Sequence, residues 1–339
     1  MPPTLTLRCD AGGPYGLGHA MRLRAIAREL HALAPEMQLY IRGTTQALFR
    51  ACNDPWYVTS VARDEATCTE LLRGAAVVID MPQAWRGDRS NAFRSVRGPI
   101  IRIDAPWVTP DLCDVLILPG VHHGAETLST LQQQFGERLY AGKEYVVLPN
   151  APAYVVPWEK RDQTICFVAG GSDPYGILPR MYELSMPLEK LLPGVHRFFL
   201  HGKYAKVAAS MKHAGISLLR YKPEYLCRAG LVVTAWGITA YECLAAQTPA
   251  MVVPQDSVTL GDVLRADMAT GSALDTMGSL KTYSPQVFSQ AIADLWNDTA
   301  RRQAMHAAAA GFLDDQGATR IARIILDTMG ARRTAEWIL

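Results

Sequence analysis

The chain has 339 residues, enough for two ordinary domains, and 49% of them are hydrophobic. Lys and Arg number 34 and Asp and Glu 32, so the formal net charge of +2 does not call for a nucleic-acid partner. No apolar run approaches the ~20 residues of a transmembrane helix, so no membrane span is expected. The composition is that of a folded, soluble protein.

The cysteines indicate a reducing compartment. All seven are scattered, and none forms a Cys-x-x-Cys pair, which argues against a zinc site of that kind. Cys9 and Cys166 lie inside apolar runs, as reduced, buried thiols do. No basic segment followed by a long apolar stretch comes after Met1, so we expect a cytoplasmic protein. The sequence does not indicate an oligomeric state.

The first half of the chain alternates apolar, Val- and Ile-rich runs with helical patterns. We predict strands at residues 5–9, 38–41, 56–60, 76–80, 99–104 and 114–118, and helices at 19–33 and 65–73. Apolar runs of this kind are typical of parallel strands covered on both faces. The alternation predicts βαβ units in a doubly wound sheet.

Residues 149–162 interrupt this alternation with three prolines followed by charged residues, which indicates a linker. The alternation then resumes. We predict strands at 164–169, 196–200, 217–219, 231–235 and 250–254, helices at 181–192, 203–213, 239–246, 260–268 and 286–297, and a helical tail from 299. The domains are therefore 1–150 and 163–315, with a linker at 151–162 and a final helix at 316–339.

A Gly-rich turn follows the first predicted strand and ends in Gly16-Leu-Gly18-His19. Such a turn presents backbone N–H groups at the positive end of a helix, where phosphate or another anion binds. Met21 replaces the third glycine of the dinucleotide-binding motif, and the second strand ends without an acidic residue, so an NAD dehydrogenase is not favoured.

His19 stands at the start of the helix after this turn, where it is a candidate general base; a helix-capping histidine is the alternative. Asp10 ends the first strand, at the edge of the sheet where α/β proteins bind ligands. We expect Asp10 to orient the loop or His19.

The second half opens on a similar turn, Gly170-Gly171-Ser172. Ser172 can cap the following helix or donate a hydrogen bond to a phosphate. One such turn in each half predicts a ligand held in the cleft between the two domains.

A third turn, Gly237-Ile238-Thr239, follows the strand at 231–235, and Glu242 comes one helical turn later. The spacing of Thr239 and Glu242 fits a capping box. It also fits a nucleotide site, in which the turn contacts a phosphate and Glu242 accepts both hydroxyls of a ribose. We favour the nucleotide site.

These motifs resemble a known family. Arg8-Cys-Asp10 with Gly16-x-Gly18-His19-x-Met-Arg22 is similar to the N-terminal motif of the PseG/SpsG-type nucleotide-sugar hydrolases. Residues 170–173 and 229–249 look like the nucleotide-binding half shared by that family and the glycosyltransferase that makes lipid II. The resemblance runs from residue 5 to about residue 326.

The resemblance implies a GT-B fold, in which two Rossmann-like domains face each other across a cleft and the final helix returns to the first domain. It implies a UDP-sugar substrate with its nucleotide on the C-terminal domain, and neither a metal nor another cofactor. Hydrolases of this family release UDP from a diamino-trideoxy sugar on the way to pseudaminic acid.

The resemblance also implies roles for individual residues. His19 matches the catalytic histidine that activates water, and Asp80, at the end of a predicted strand, matches an active-site aspartate. We place four further residues on the sugar or acceptor side: Arg22, Tyr145, Asn150 and Gln255.

One segment departs from the family pattern, and it leaves three functions open. Residues 140–145 keep the Tyr-x-Gly-x-x-Tyr pattern, but Pro149-Asn150-Ala-Pro152 stands where an Arg-x-Glu-Phe segment is usual. The leading hypothesis is hydrolysis of a UDP-sugar by water. The alternatives are an inverting GT-B glycosyltransferase with a hydroxyl acceptor and a non-catalytic protein that binds a sugar nucleotide.

Overall fold

The computed structural model describes residues 3–72, 76–81, 96–149, 155–202, 205, 211 and 213–336. The chain divides into two compact units. Unit 1 comprises Met1–Pro149 and Asp315–Leu339, and unit 2 comprises Asn150–Asp314. The chain therefore leaves unit 1 and returns to it at the end.

Unit 1 is built on a seven-stranded parallel sheet in the order β3-β2-β1-β4-β5-β6-β7. The strands are β1 Thr4–Arg8, β2 Gln38–Gly43, β3 Val58–Val61, β4 Ala76–Asp80, β5 Ile100–Ile103, β6 Val115–Pro119 and β7 Leu139–Gly142. Every residue of β4 and β6 is buried, as expected for parallel strands covered on both faces.

Five α-helices lie in the part of unit 1 that the structure describes. They are α1 Gly18–Leu33, α2 Gln46–Ala51, α3 Glu65–Glu70, α4 Ala125–Phe135 and the C-terminal helix Gly317–Glu336. The C-terminal helix packs against α1, and its Ile321 and Ile325 are fully buried in the same core as Leu7 of β1. The last segment of the chain thus completes the core of unit 1.

Unit 2 is built on a six-stranded parallel sheet in the order β10-β9-β8-β11-β12-β13. The strands are β8 Asp162–Val168, β9 His196–His201, β10 Ile216–Arg220, β11 Ala229–Ala235, β12 Ala250–Val253 and β13 Leu274–Thr276. Phe167 of β8 and Phe199 of β9 stack in the core with ring centroids 4.5 Å apart.

The helices of unit 2 connect these strands. They are α5 Ile177–Leu184, α6 Leu188–Leu191, α7 Pro223–Arg228, α8 Ile238–Ala245, α9 Ser257–Ala269, α10 Pro285–Asn297 and α11 Thr299–Ala308. The prediction of a single helix at 181–192 is wrong. α5 ends at Leu184, and the separate short helix α6 begins after Pro187, which has no N–H to continue the first helix.

The predicted fold class, two Rossmann-like α/β domains with parallel sheets, is confirmed. The prediction missed the edge strands β7 and β13. The helix predicted at 203–213 lies largely outside the described residues, as does the region 82–95. Among the helices that the structure describes, none combines the length and apolar character needed to cross a bilayer.

Replacing Ile325 with alanine should destabilise unit 1. The side chain is fully buried, so truncation removes apolar contacts and leaves a cavity, at a typical cost of ~2–5 kcal/mol. Urea denaturation, monitored by circular dichroism, measures the change in the free energy of unfolding. Arg323→Ala, two positions away on the exposed face of the same helix, is the control; equal effects of the two variants would contradict the packing described here.

Candidate functional site

The carboxyl edge of the unit 1 sheet gathers candidate residues where the strand order reverses. β1 and β4 are neighbours there, although β2 and β3 separate them along the chain. In open α/β sheets, ligands bind at such a switch point.

Gly12 opens the loop between β1 and α1 with a φ of +72°, and a Cβ there would lie 2.6 Å from that of Ala47. The loop, which contains Gly16 and leads to Gly18 at the start of α1, therefore needs glycine at position 12.

His19 and Asp80 form a hydrogen-bonded pair at this edge. His19 is the second residue of α1, and Asp80, the last residue of β4, is fully buried. The His19 Nδ1 atom lies 2.7 Å from Asp80 Oδ1. Because an ionised carboxylate only accepts hydrogen bonds, Nδ1 carries the proton and donates it to this contact. In the neutral imidazole, the Nε2 atom then keeps its lone pair and can accept a proton from a substrate.

Arg22, one turn further along α1, holds Asp80 from the other side. Its Nε donates to Asp80 Oδ2 and its Nη2 to Oδ1, both at 2.7 Å. Burial raises the pKa of Asp80, but the charge of Arg22 and the hydrogen bonds from His19 and Arg22 outweigh this, and the pKa is lowered from its ordinary value. Arg22 was expected on the sugar or acceptor side. In the structure Arg22 is buried and holds Asp80 and Asp104, and a contact of Arg22 with a sugar or acceptor stays a prediction.

Asp104 extends the network beyond Asp80. It follows β5 with a φ of +58°, and its Oδ2 accepts a hydrogen bond from Arg22 Nη2 at 3.0 Å. Burial raises the pKa of Asp104, but Arg22, His122 and His123 lower it more strongly, so it lies below the ordinary value. One guanidinium thus pairs with two carboxylates from adjacent strands, and the set keeps a net negative charge.

His122 and His123 follow β6, the next strand along the sheet. Their ring centroids are 4.1 Å apart. Together with Asp104 they place two imidazoles and one carboxylate so that one ligating atom from each lies within 4.8 Å of the others. These three half-buried residues could hold a metal ion.

Asp10 lies at the same edge, but its partners are different. Its Oδ1 accepts from the backbone N–H groups of Thr44 at 2.6 Å and Thr45 at 3.1 Å, and its Oδ2 accepts from Arg8 at 3.0 Å. None of its described hydrogen bonds reaches His19. This carboxylate ties the end of β1 to the loop after β2, and a catalytic role for Asp10 stays a prediction.

Tyr145 and Asn150 were expected on the sugar or acceptor side. Tyr145 follows β7, and its side chain packs against the core that contains Leu7 of β1 and Ile321 of the C-terminal helix. Its ring packs edge-on against Tyr140, with centroids 5.9 Å apart, and burial raises its pKa. The place of Tyr145 on the sugar or acceptor side stays a prediction. Asn150 lies outside the described residues.

Unit 2 has its own switch point, between β8 and β11. Gly170 and Gly171 follow β8, and Gly237 follows β11, so two predicted turns share one edge of the sheet. Ser172 is only 8% exposed, and its Oγ has no hydrogen-bond partner among the described atoms. Buried hydroxyls are normally satisfied, so this donor is suited to a bound polar group.

The structure corrects the predicted cap of the helix after this turn. Asp173, not Ser172, accepts hydrogen bonds from the backbone N–H groups of Ile177 at 2.7 Å and Leu178 at 2.9 Å. Gly176 is the N-cap residue of α5. Ser172 as a helix cap is therefore wrong, and its donation to a phosphate stays a prediction.

Glu242 does not form a capping box with Thr239. α8 begins at Ile238 after Gly237, so Thr239 is already inside the helix, and no side chain caps it. Glu242 is 5% exposed, and its Oε2 accepts a hydrogen bond from the Tyr221 hydroxyl at 2.7 Å. Burial and the Glu242 charge raise the pKa of Tyr221, so the phenol remains a donor. Ribose recognition by Glu242 stays a prediction.

Gln255 lines a cavity of about 730 Å³ in unit 2. Its Nε2 donates to the carbonyl oxygen of Trp236 at 3.4 Å, and its Oε1 is buried with no partner among the described atoms. Aromatic walls with a few polar groups are typical of small-molecule sites. Besides Gln255 and Trp236, the residues that line the cavity include Tyr175, Arg180, Thr259 and Lys281.

Sequence reasoning missed Asp104, His122, His123 and Tyr221. Asp104 ends an apolar run as Asp80 does, so the strand-end rule could have found it. The two histidines stand between a predicted strand and a helix, which is the same signal. The approach of Tyr221 to Glu242 has no counterpart in the sequence pattern.

No protein-family model and no curated protein sequence matches this chain. Solved structures do match it. The glycotransferase of kitacinnamycin is 13% identical, with a TM-score of 0.64, over 97% of this chain and 100% of that chain. The co-structure of S. aureus MnaA with UDP is 13% identical, with a TM-score of 0.62, over 95% of both chains. The pneumococcal O-GlcNAc transferase GtfA, in complex with UDP and GlcNAc, is 9% identical, with a TM-score of 0.64, over 96% of this chain and 99% of that chain.

These matches establish the fold. Each covers nearly the whole of both chains, and both sheets of this protein have the parallel order of Rossmann-like domains. The chain therefore has the two Rossmann-like domains of the GT-B fold.

The lowered pKa of Asp104 predicts a specific loss of stability in acid. In the unfolded chain this carboxyl takes up its proton near its ordinary pKa of 3.8, whereas the folded form stays ionised to lower pH. Its contribution to stability is therefore complete above pH 3.8 and is lost as the pH falls towards the folded pKa. The free energy of unfolding of wild type should thus exceed that of Asp104→Asn at about pH 5. The difference between the two free energies should be smaller at about pH 3.

Urea unfolding at the two pH values measures this difference. Asp315→Asn, at an exposed position, is the control and should keep the acid dependence of wild type. A difference between wild type and Asp104→Asn that does not change with pH would show that Asp104 is not held ionised by its neighbours.

Proposed function

We propose that this protein is an enzyme that cleaves the anomeric C–O bond of a UDP-sugar, with water as the nucleophile. Unit 1 supplies the proton acceptor, His19, and unit 2 supplies the contacts to the nucleotide. The observation that carries the proposal is the 2.7 Å contact between His19 and the buried Asp80. A neutral histidine oriented by a carboxylate is a common general base.

The reaction follows from this pair. His19 Nε2 takes a proton from water as the water oxygen forms a bond to the anomeric carbon. The bond between that carbon and the phosphate oxygen breaks, and its electron pair leaves with UDP. Asp80 keeps the imidazole in the required tautomer and stabilises the imidazolium that forms, while Arg22 holds Asp80 in place.

The carboxyl edge of unit 2 supports a nucleotide. Backbone N–H groups near Gly171 and Gly237 would face the phosphates and stabilise the UDP leaving group. Ser172 Oγ would donate to the same phosphates, since no described protein atom accepts from it. Glu242 would accept the ribose hydroxyls, and Gln255 Oε1 would accept from a hydroxyl of the sugar. The likeness to S. aureus MnaA with UDP and to GtfA with UDP and GlcNAc supports this ligand class.

Transfer to an acceptor hydroxyl is the second candidate, because an alcohol needs the same base as water. Pro149-Asn150-Ala-Pro152 favours it, since this segment replaces the Arg and Glu usual in the hydrolases that the sequence resembles. The likeness to glycosyltransferase structures supports transfer as much as hydrolysis. Release of free sugar without any acceptor, far above the uncatalysed rate, would decide for hydrolysis.

Calorimetric titration with UDP, CDP, GDP and NAD, in buffer containing a chelator, tests the ligand class. Selective binding of UDP is expected. Binding of NAD without UDP would contradict the proposal, and so would binding of none of the four.

His19→Ala should lose ~10²–10⁴-fold in turnover of a UDP-sugar, because general-base help typically contributes that much. UDP affinity should stay within about twofold of wild type, because the nucleotide contacts lie in unit 2. Steady-state release of UDP and calorimetry measure the two effects. His31→Ala, near the other end of α1, is the matched control and should keep full turnover. Undiminished turnover in His19→Ala would remove the proposed base.

Gly202→Ala should weaken UDP binding about tenfold or more while leaving the unit folded. Gly202 follows β9, and a methyl group there would overlap the backbone of Gly171, so the turn that faces the phosphates has to move. Calorimetry measures the affinity, and circular dichroism checks the fold. Gly261→Ala in α9 is the control, because its methyl group would meet only the flexible end of Arg265. An unchanged affinity in Gly202→Ala would exclude this turn from the site.

A further inference from the structure

We propose that Asp104, His122 and His123 form a binding site for one divalent transition-metal ion, such as Zn²⁺ or Co²⁺. The site lies at the carboxyl edge of unit 1 and goes beyond the proposed reaction, which needs no metal. The three residues belong to the loops that follow two adjacent strands, β5 and β6.

The sheet holds these residues together. β5 and β6 pair in parallel, so their carboxyl ends meet at one edge. The backbone N–H of Asp104 donates to the carbonyl oxygen of Ile117 in β6 at 2.9 Å, which fixes the position of Asp104 beside that strand. His122 and His123 come three and four residues after the end of β6 at Pro119. The backbone therefore places the ligands before any metal binds.

The ligand set suits a borderline metal ion. Imidazole nitrogens favour Zn²⁺, Co²⁺, Ni²⁺ and Cu²⁺ over Mg²⁺ and Ca²⁺, which take oxygen ligands. Here two imidazoles join one carboxylate, with one ligating atom of each within 4.8 Å of the others. Ligands of a tetrahedral zinc ion are about 3.4 Å apart, so a pair of ligating atoms at the 4.8 Å limit has to close by about an ångström or more. Side-chain rotations of the two half-buried histidines can provide this movement.

The charges around the site permit a dication. Asp80 and Asp104 carry two negative charges against the one positive charge of Arg22, so a metal ion enters a region of net negative charge. Arg22 contacts Asp104 through Oδ2, and a carboxylate has a second oxygen with which to bind a metal. A hydrogen bond of this kind from outside the ligand set orients a metal ligand and strengthens binding.

Three protein ligands leave at least one coordination position for an oxygen atom, from water or from a sugar hydroxyl. Because Arg22 contacts both Asp104 and Asp80, a bound ion would also act on the carboxylate that orients His19. The site is therefore connected to the proposed catalytic pair through one guanidinium.

Metal titration of the purified, untagged chain, stripped with a chelator, tests the proposal. Co²⁺ is followed by its visible absorption and Zn²⁺ by calorimetry. Wild type should bind one ion per chain. His122→Ala and His123→Ala should each weaken binding beyond the ~10–100-fold typical of losing a partner outside the ligand set. His213→Ala, at an exposed position in unit 2, is the control and should bind as wild type does.

Two results would overturn the site. One is the absence of stoichiometric binding by wild type. The other is unchanged binding in the His122→Ala/His123→Ala double variant, provided that its melting temperature shows a folded protein. If the alanine variants unfold, His122→Gln and His123→Gln keep polar side chains of similar size and serve the same test. The outcome does not depend on UDP binding or turnover, so the metal site and the proposed function fail separately.

Discussion

The fully buried carboxylate of Asp80 is the constraint on which unit 1 depends. An ionised carboxylate without partners in a protein interior costs several kcal/mol, so the fold must bring donors to it. α1 does this with Arg22, which binds both oxygens, and with His19. The same contacts that neutralise the buried charge set the direction of the imidazole. Stability and the proposed chemistry therefore draw on one set of hydrogen bonds, and a change at position 80 affects both.

Candidate polar groups of the two units differ in whether they already have a protein partner. In unit 1 the carboxylates at the sheet edge are already paired, through Arg22 for Asp80 and Asp104 and through Arg8 for Asp10. In unit 2, Ser172 Oγ and Gln255 Oε1 are buried without partners among the described atoms, beside the switch point and a large cavity. Carboxylates that are already paired with arginine can position a reacting group. Buried polar atoms without a protein partner are instead suited to hold a ligand. This contrast agrees with the division of labour proposed for the two units.

The sequence predicts where strands end better than it predicts which ends meet. Apolar runs located β1, β4, β8 and β11, and with them His19, Asp80 and Ser172. The edge strands β7 and β13 were missed because they are short and only partly buried, so their apolar pattern is weak. Tyr145 was placed on the sugar or acceptor side by its family motif alone, which carries no information on strand order, and the structure puts β7 at an edge of the sheet. Arg22 and Asp104 lie 82 positions apart, and only the sheet order brings them together.

The C-terminal helix has a consequence for how the protein is made. Residues of unit 2 are contiguous, so this unit can fold as soon as position 314 has left the ribosome. Synthesis of unit 1 begins first, but the core of unit 1 is completed last, because Ile321 and Ile325 belong to it. During synthesis an apolar surface of unit 1 therefore stays exposed until the C-terminal helix has been made. A premature stop codon before position 321 would thus damage the half of the protein that was translated first.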